Sequence, residues 1–180
     1  MRASRILSRF LLSTFLTASL ALPAAAHITL EDDDAAANST YKAVLRVGHG
    51  CEGAATTTVR VQIPEGVIVA KPMPKAGWEI SLTEGDYAQT YDYYGTAITS
   101  GVTEIAWTGG NLPDNFYDEF VFRARITGFE PGTQIPFLVV QECGPDLAER
   151  WIEIPAEGQD PESLEYPAPM LMVTEPDEED

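Results

Sequence analysis

Two histidines, His27 and His49, and two cysteines, Cys51 and Cys143, are the imidazoles and thiols that the 180-residue chain offers for metal or nucleophile chemistry. If position 27 is a mature amino terminus, His27 presents an imidazole and a free α-amine at one point. Together these chelate one metal ion. An α-amine and an imidazole ordinarily titrate near 8 and near 6.5, so both lone pairs are open to a metal near neutral pH. Nitrogen donors in a tetragonal set favour Cu(II). His49, 22 residues on, follows a strand-like run and offers a second imidazole that would tighten a copper site at the same pole; otherwise it is a solvated loop side chain. Glu31-Asp32-Asp33-Asp34 reads either as weak oxygen ligands or as a solvated charge run. The parts of other chemistries are missing. There is no H-E-x-x-H, no G-x-S-x-G and no Gly-rich phosphate loop, and two histidines make no triad, so the chain reads as a binding protein and not an enzyme.

The start of the chain supports an exposed His27. Arg2, Arg5 and Arg9 precede an uncharged apolar run, Phe10 to Leu22, followed by Pro23-Ala24-Ala25-Ala26. That succession is a secretory signal over residues 1–26, cut after Ala26, its apolar run too short to span a bilayer. Removal of three arginines and no acid takes the net charge from −17 to −20. A periplasmic or secreted protein is expected. So acidic a surface argues against nucleic acid or an anionic membrane as partner and for cations as ligands. In an exported chain the even pair Cys51 and Cys143 reads as a disulfide, and closing so long a loop is worth about 4–5 kcal/mol in the chain-entropy treatment. The alternative is a nucleophile or metal thiolate on His49-Gly50-Cys51.

Positioning these residues falls to strands. With 14 Gly and 13 Pro spread along the chain, short strands joined by turns are favoured over helices. Period-2 alternation runs through Thr40–Val47 and Thr57–Ile63. Further runs lie at Val67–Ala70, Trp78–Leu82, Tyr87–Tyr94, Val102–Thr108, Phe116–Thr127, Ile135–Gln141 and Trp151–Ile154. This predicts a single-domain, all-β sandwich. In Phe116–Ile126 the core face carries Phe116, Asp118, Phe120 and Phe122, while Glu119 falls on the opposite face. A single helical turn is expected around Pro145–Glu149. The sandwich is expected over residues 27–166, with 167–180 a Pro-containing acidic tail.

Six segments in order carry a resemblance. They are His27-Ile28-Thr29-Leu30, Val59 to Val67 with its Ile63-Pro64-Glu65-Gly66, Lys75-Ala76-Gly77-Trp78, Ile105-Ala106-Trp107-Thr108-Gly109, Tyr117-Asp118-Glu119-Phe120 and Pro167-Ala168-Pro169. Across nearly all of the expected mature chain they resemble the YcnI-like family, a domain of unknown function. The resemblance implies an immunoglobulin-like sandwich that binds Cu(II) through a monohistidine brace, the amine and imidazole of the first residue. By motif it implies His27 and Glu119 as ligands with Trp151 close by; His49 is the candidate fourth ligand, and Asp118 competes with Glu119 but reads as structural. Many relatives carry a membrane anchor after the sandwich, where this chain has an acidic tail, so no stable membrane anchor is expected. The resulting expectation is copper uptake, buffering or delivery, with a copper transporter or another periplasmic copper protein as partner. The alternatives are a copper oxygenase of the N-terminal-histidine type, in which only His49 can serve as second histidine, and a structural or adhesive sandwich without metal.

Overall fold

The computed structural model describes residues 27–176; the expected signal, residues 1–26, and the closing Asp177 to Asp180 lie outside the described residues. The strands in chain order are β1 (Thr29–Leu30), β2 (Asp34–Ala36), β3 (Thr40–Val47), β4 (Thr56–Gln62), β5 (Val67–Pro72), β6 (Glu79–Tyr93), β7 (Thr96–Leu112), β8 (Asp118–Ile126), β9 (Gln134–Pro136), β10 (Val139–Glu142), β11 (Ala148–Trp151) and β12 (Met170–Thr174). They form a four-stranded sheet, β1-β3-β8-β5, a five-stranded sheet, β11-β10-β4-β7-β6, and a small sheet, β2-β12-β9. The fold is an all-β sandwich in one domain. Among the described residues no helix is long and apolar enough to cross a membrane.

The alternation in the sequence explains the layers. In β3 the inward residues Tyr41, Ala43, Leu45 and Val47 are buried while Lys42 and Arg46 face out, and in β8 Phe120, Phe122, Ala124 and Ile126 point the same way. Eight consecutive pairs from Thr40↔Arg125 to Val47↔Asp118 lock the two strands without a slip, as expected where a one-residue shift would turn every apolar side chain to solvent. Between the sheets Trp107 meets Phe120 at 5.6 Å and Phe122 meets Phe137 at 5.8 Å, all edge-to-face and fully buried.

Four expectations are corrected. The two predicted strands at 78–82 and 87–94 are one strand, β6, because Gly85 stays paired with Gly101 and the ladder absorbs its irregularities on either side, at Thr83/Glu84 and between Asp86 and Tyr91. Tyr87 lies over Gly101 so closely that a Cβ there would sit 2.1 Å from its hydroxyl, so an aromatic ring covers Gly101. Phe116, expected in the core, precedes β8 and is exposed. The helical turn expected at 145–149 is instead a bend that runs into β11 at Ala148, and β11 pairs with β10 from Glu142↔Ala148 to Val139↔Trp151. Last, the region taken as a tail from 167 includes β12, whose Leu171 and Val173 are buried and whose backbone pairs with β9 and, in parallel, with β2. Buried apolar side chains and ladder hydrogen bonds outweigh the flanking prolines there.

Candidate metal centre

Both histidines lie at one end of the sandwich, where the edge strands β1 and β11 come together. His27 lies two residues before Thr29, the first residue of β1, and the Thr29↔Arg46 pair sets it near the carboxyl end of β3, from which His49 follows two residues past Val47. Trp151 closes β11 with its indole turned inward and 2% exposed. The His27 ring meets it at 5.8 Å between centroids and the His49 ring at 6.5 Å, both edge-to-face. Tyr166 packs on the same indole at 5.4 Å. Every imidazole in the chain therefore touches one tryptophan.

The loop that carries His49 is held at several points. Cys51 and Ala54 exchange backbone hydrogen bonds of 3.1 and 2.8 Å across Glu52 and Gly53, whose φ values of 49° and 86° define a tight turn of the hairpin kind. Gly50 N–H donates to Asp114 Oδ1 at 3.1 Å, and a Cβ on Gly50 would lie 1.8 Å from the Ala54 carbonyl oxygen. The Cys51–Cys143 disulfide joins this loop to the end of β10, with Cα atoms 5.8 Å apart, so the expected pairing is present and the thiolate alternative falls. Buried Gln141 completes the clamp. Its Nε2 donates to the His49 carbonyl and to Thr56 Oγ1, both at 2.7 Å, while its Oε1 accepts the Trp151 indole N–H at 3.2 Å.

The two imidazoles differ in what their nitrogens already bind. Nδ1 of His49 donates to the Gly50 carbonyl, which leaves the Nε2 lone pair free in the neutral ring and is the arrangement a metal-ligating histidine uses. Nε2 of His27 is sealed from water and has no hydrogen-bond partner. The nitrogen of that ring open to an outside ligand is then Nδ1, the one that closes a six-membered chelate with the residue's own amine. A third unpaired atom lies nearby. Glu149 is two residues before Trp151 on the same inward-facing side of β11, directly opposite Gln141, and its Oε2 is buried without a partner. Burial raises the Glu149 pKa; nearby His49 pulls it down, and Glu52 and Asp114 push it further up.

The remaining expected site residues are elsewhere on the same end. Glu119 pairs with Arg46 in β3, whose other neighbour is Thr29, so Glu119 is two interstrand spacings, about 10 Å, from β1. Its carboxylate accepts from the Tyr117 hydroxyl at 3.2 Å and its carbonyl from Lys75 Nζ at 2.9 Å. Asp118 is paired with Lys75 at 2.7 Å and accepts the Glu119 N–H at 2.8 Å, the structural part its position suggested. Glu31 pairs with Arg46 at 3.2 Å, in keeping with a solvated charge run. Among the described residues no three His, Cys, Asp or Glu side chains are gathered closely enough to hold a metal by themselves, so His27, His49 and Glu119 are not one ready-made side-chain cluster. An α-amine donor, though, is not a side chain. Gln141 and Glu149 escaped the sequence reading; the signal for Gln141 was present, since Val139, Gln141 and Cys143 alternate inward and a glutamine in that series needs partners.

An immunoglobulin-like sandwich with two histidines against one buried tryptophan is the class that fold and site define. The chain belongs to the family of the domain of unknown function (DUF1775), whose model matches residues 27–173, the YcnI-like family of the sequence resemblance. The match begins at His27 itself. A solved structure described as an uncharacterized protein from Nocardia farcinica with an immunoglobulin-like fold superposes with a TM-score of 0.59 at 24% identity, over 82% of this chain and 98% of that one. At that identity the likeness concerns the fold. No curated protein matches the chain.

Proposed function

We propose that the protein is exported to the periplasm or cell exterior, is cut after Ala26, and holds Cu(II) as cargo through the α-amine and Nδ1 of His27 and Nε2 of His49. The observation that carries this reading is the convergence of both imidazoles on buried Trp151. Three nitrogens of this kind suit the tetragonal preference of Cu(II). The family resemblance adds a carboxylate, Glu119, as oxygen donor. No thiolate belongs to the set, since both cysteines are paired, and nitrogen and carboxylate donors suit the oxidised ion. Uptake, buffering and delivery to a copper transporter or another exported copper protein all follow from holding the ion without turning over a substrate.

Electron paramagnetic resonance of the 27–180 form loaded with Cu(II) tests the proposal. One tightly held ion with nitrogen hyperfine structure is expected, and a form carrying one extra residue before His27 should lose a donor and its chelate. Identical spectra and affinities from the two forms would overturn it. A second reading, a copper oxygenase, is favoured by the packing of both His27 and His49 against Trp151, because two histidines are the set such chemistry needs. Reductant-driven peroxide formation well above that of free copper would move the conclusion there.

A further inference from the structure

We infer that the row Lys42, Arg123 and Lys71, on the outer face of the four-stranded sheet, is the docking site of the chain's own acidic segment, residues 175–180. The contact needs no metal and stands apart from the copper reading. Residues 1–26 hold three of the eleven Lys and Arg and none of the 28 acids. Of the eight cations that remain, five lie on this one face: Lys42, Arg46, Lys71, Arg123 and Arg125. Lys42 is paired directly with Arg123, and Arg123 with Lys71, so three like charges cross three adjacent strands within about 10 Å. Like charges directly opposite one another destabilise a sheet. Glu31 and Glu119 on this face both stand beside Arg46. Among the described residues no carboxylate is paired with Lys42, Arg123 or Lys71.

The backbone is strained to complete that row. The ladder steps from Ile68↔Arg125 to Lys71↔Arg123, so Val69 and Ala70 together oppose Ala124. One residue fewer would turn Lys71 to the inner face opposite Phe122. Val69 takes a φ of 54°, a left-handed angle that a β-branched residue rarely adopts. The next cation is already engaged: the Arg125 guanidinium lies 4.7 Å from the Tyr94 ring centroid and donates to its hydroxyl at 3.1 Å. Lys42, Arg123 and Lys71 stay exposed. Reach and charge identify the occupant. Thr174 lines one cleft with Thr40 and Lys42, and Asp32 and Asp34 line the same cleft, so an acidic chain leaving Thr174 is repelled by the aspartates and drawn to Lys42. Glu175, Asp177, Glu178, Glu179 and Asp180 put five acids into six residues, and six extended residues reach about 20 Å, enough to cross the row. A free polyanion has to approach a molecule of net charge −20, whereas a tethered segment is present at an effective concentration on the order of millimolar. The segment is thus a built-in competitor that any external anion must displace from this face.

Backbone-amide nuclear magnetic resonance of the 27–180 protein, without added metal, tests the contact. In about 50 mM salt the amides of 177–180 are expected to show heteronuclear Overhauser effects close to those of the strands, and in about 1 M salt to lose them. Lys71→Gln combined with Arg123→Gln should lose them at low salt; both positions are exposed, and the unfolding transition checks that the variant folds. A form ending at Pro176 should show shifted amides at Lys42, Lys71 and Arg123. A synthetic peptide of residues 174–180 should restore them, and should bind about fivefold more weakly when that form also carries the two glutamines. Sedimentation should give monomers; a dimer that disappears on shortening would hand the segment to a second copy and overturn the intramolecular contact. Overhauser effects at 177–180 that are low at every salt concentration, or that survive the two glutamine substitutions, overturn it as well.

Discussion

The indole N–H of Trp151 is donated to Oε1 of Gln141 at 3.2 Å, and through the other end of the same amide the tryptophan is tied to the backbone of His49. One buried side chain thus fixes both the residue the imidazoles touch and the loop that carries one of them. Gln141→Leu keeps the volume and removes three hydrogen bonds, stranding the Trp151 N–H and the His49 carbonyl. A loss of about 2–3 kcal/mol in urea unfolding is expected, with weaker Cu(II) binding as His49 gains freedom. Unchanged stability would show that water replaces the amide.

Trp151 is the tryptophan in contact with both histidines, whereas Trp78 and Trp107 pack on Phe120. A paramagnetic ion held by His27 and His49 should therefore quench mainly the Trp151 emission. In Trp151→Phe the quenching by one equivalent of Cu(II) should drop to a small residue of the wild-type value. Equal quenching in the two proteins would place the ion elsewhere.

Gly50 is required by contact rather than by its own backbone angle. Its missing Cβ makes room for the Ala54 carbonyl oxygen, which would otherwise be 1.8 Å away. Gly50→Ala should therefore force the turn at Glu52 and Gly53 open and lower stability by about 2 kcal/mol or more, read as a shift of the thermal transition, whereas Gly53→Ala, which meets no atom within 4 Å, pays only for its φ of 86°. A milder effect at 50 than at 53 would contradict this.

The disulfide links positions 92 residues apart. Thiol labelling of the denatured, unreduced protein should give no adduct, and reduction should cost up to about 4–5 kcal/mol, with the His49 loop the first part to loosen. Two reactive thiols before reduction would contradict the pairing.

Export should leave a chain that starts at His27, as judged by the intact mass of the protein recovered outside the cytosol. Any other first residue would deprive the site of its amine.

The core strands were legible because their chemistry is repetitive. β3 runs over Thr40–Val47, the span its alternation predicts, and β8 was misjudged only at its ends. β11 was not legible, since Ala148, Glu149 and Arg150 prefer helix and only pairing with β10 makes them a strand. That local conflict hid Glu149 behind an expected helical turn. His27 stood out by its place after the signal, and His49 was a candidate on its position after a strand, but their meeting at one tryptophan depends on two edge strands from different sheets, β1 and β11, which no local pattern encodes. Gln141 was visible as a polar residue in an inward-facing series, but which partners it meets, from the His49 loop, β4 and β11, no local pattern encodes.

The parallel pairing of β12 with β2 also sets an orientation. The backbone leaves Thr174 next to Ala37, whose N–H bonds to the Thr174 carbonyl, and Ala37 leads into the first residue of β3. The histidines are at the other end of that eight-residue strand, roughly 24 Å away at 3.4 Å per residue. A dye, surface linker or fused partner attached behind Thr174 would therefore hold the molecule by its base, with the end that carries both histidines left free.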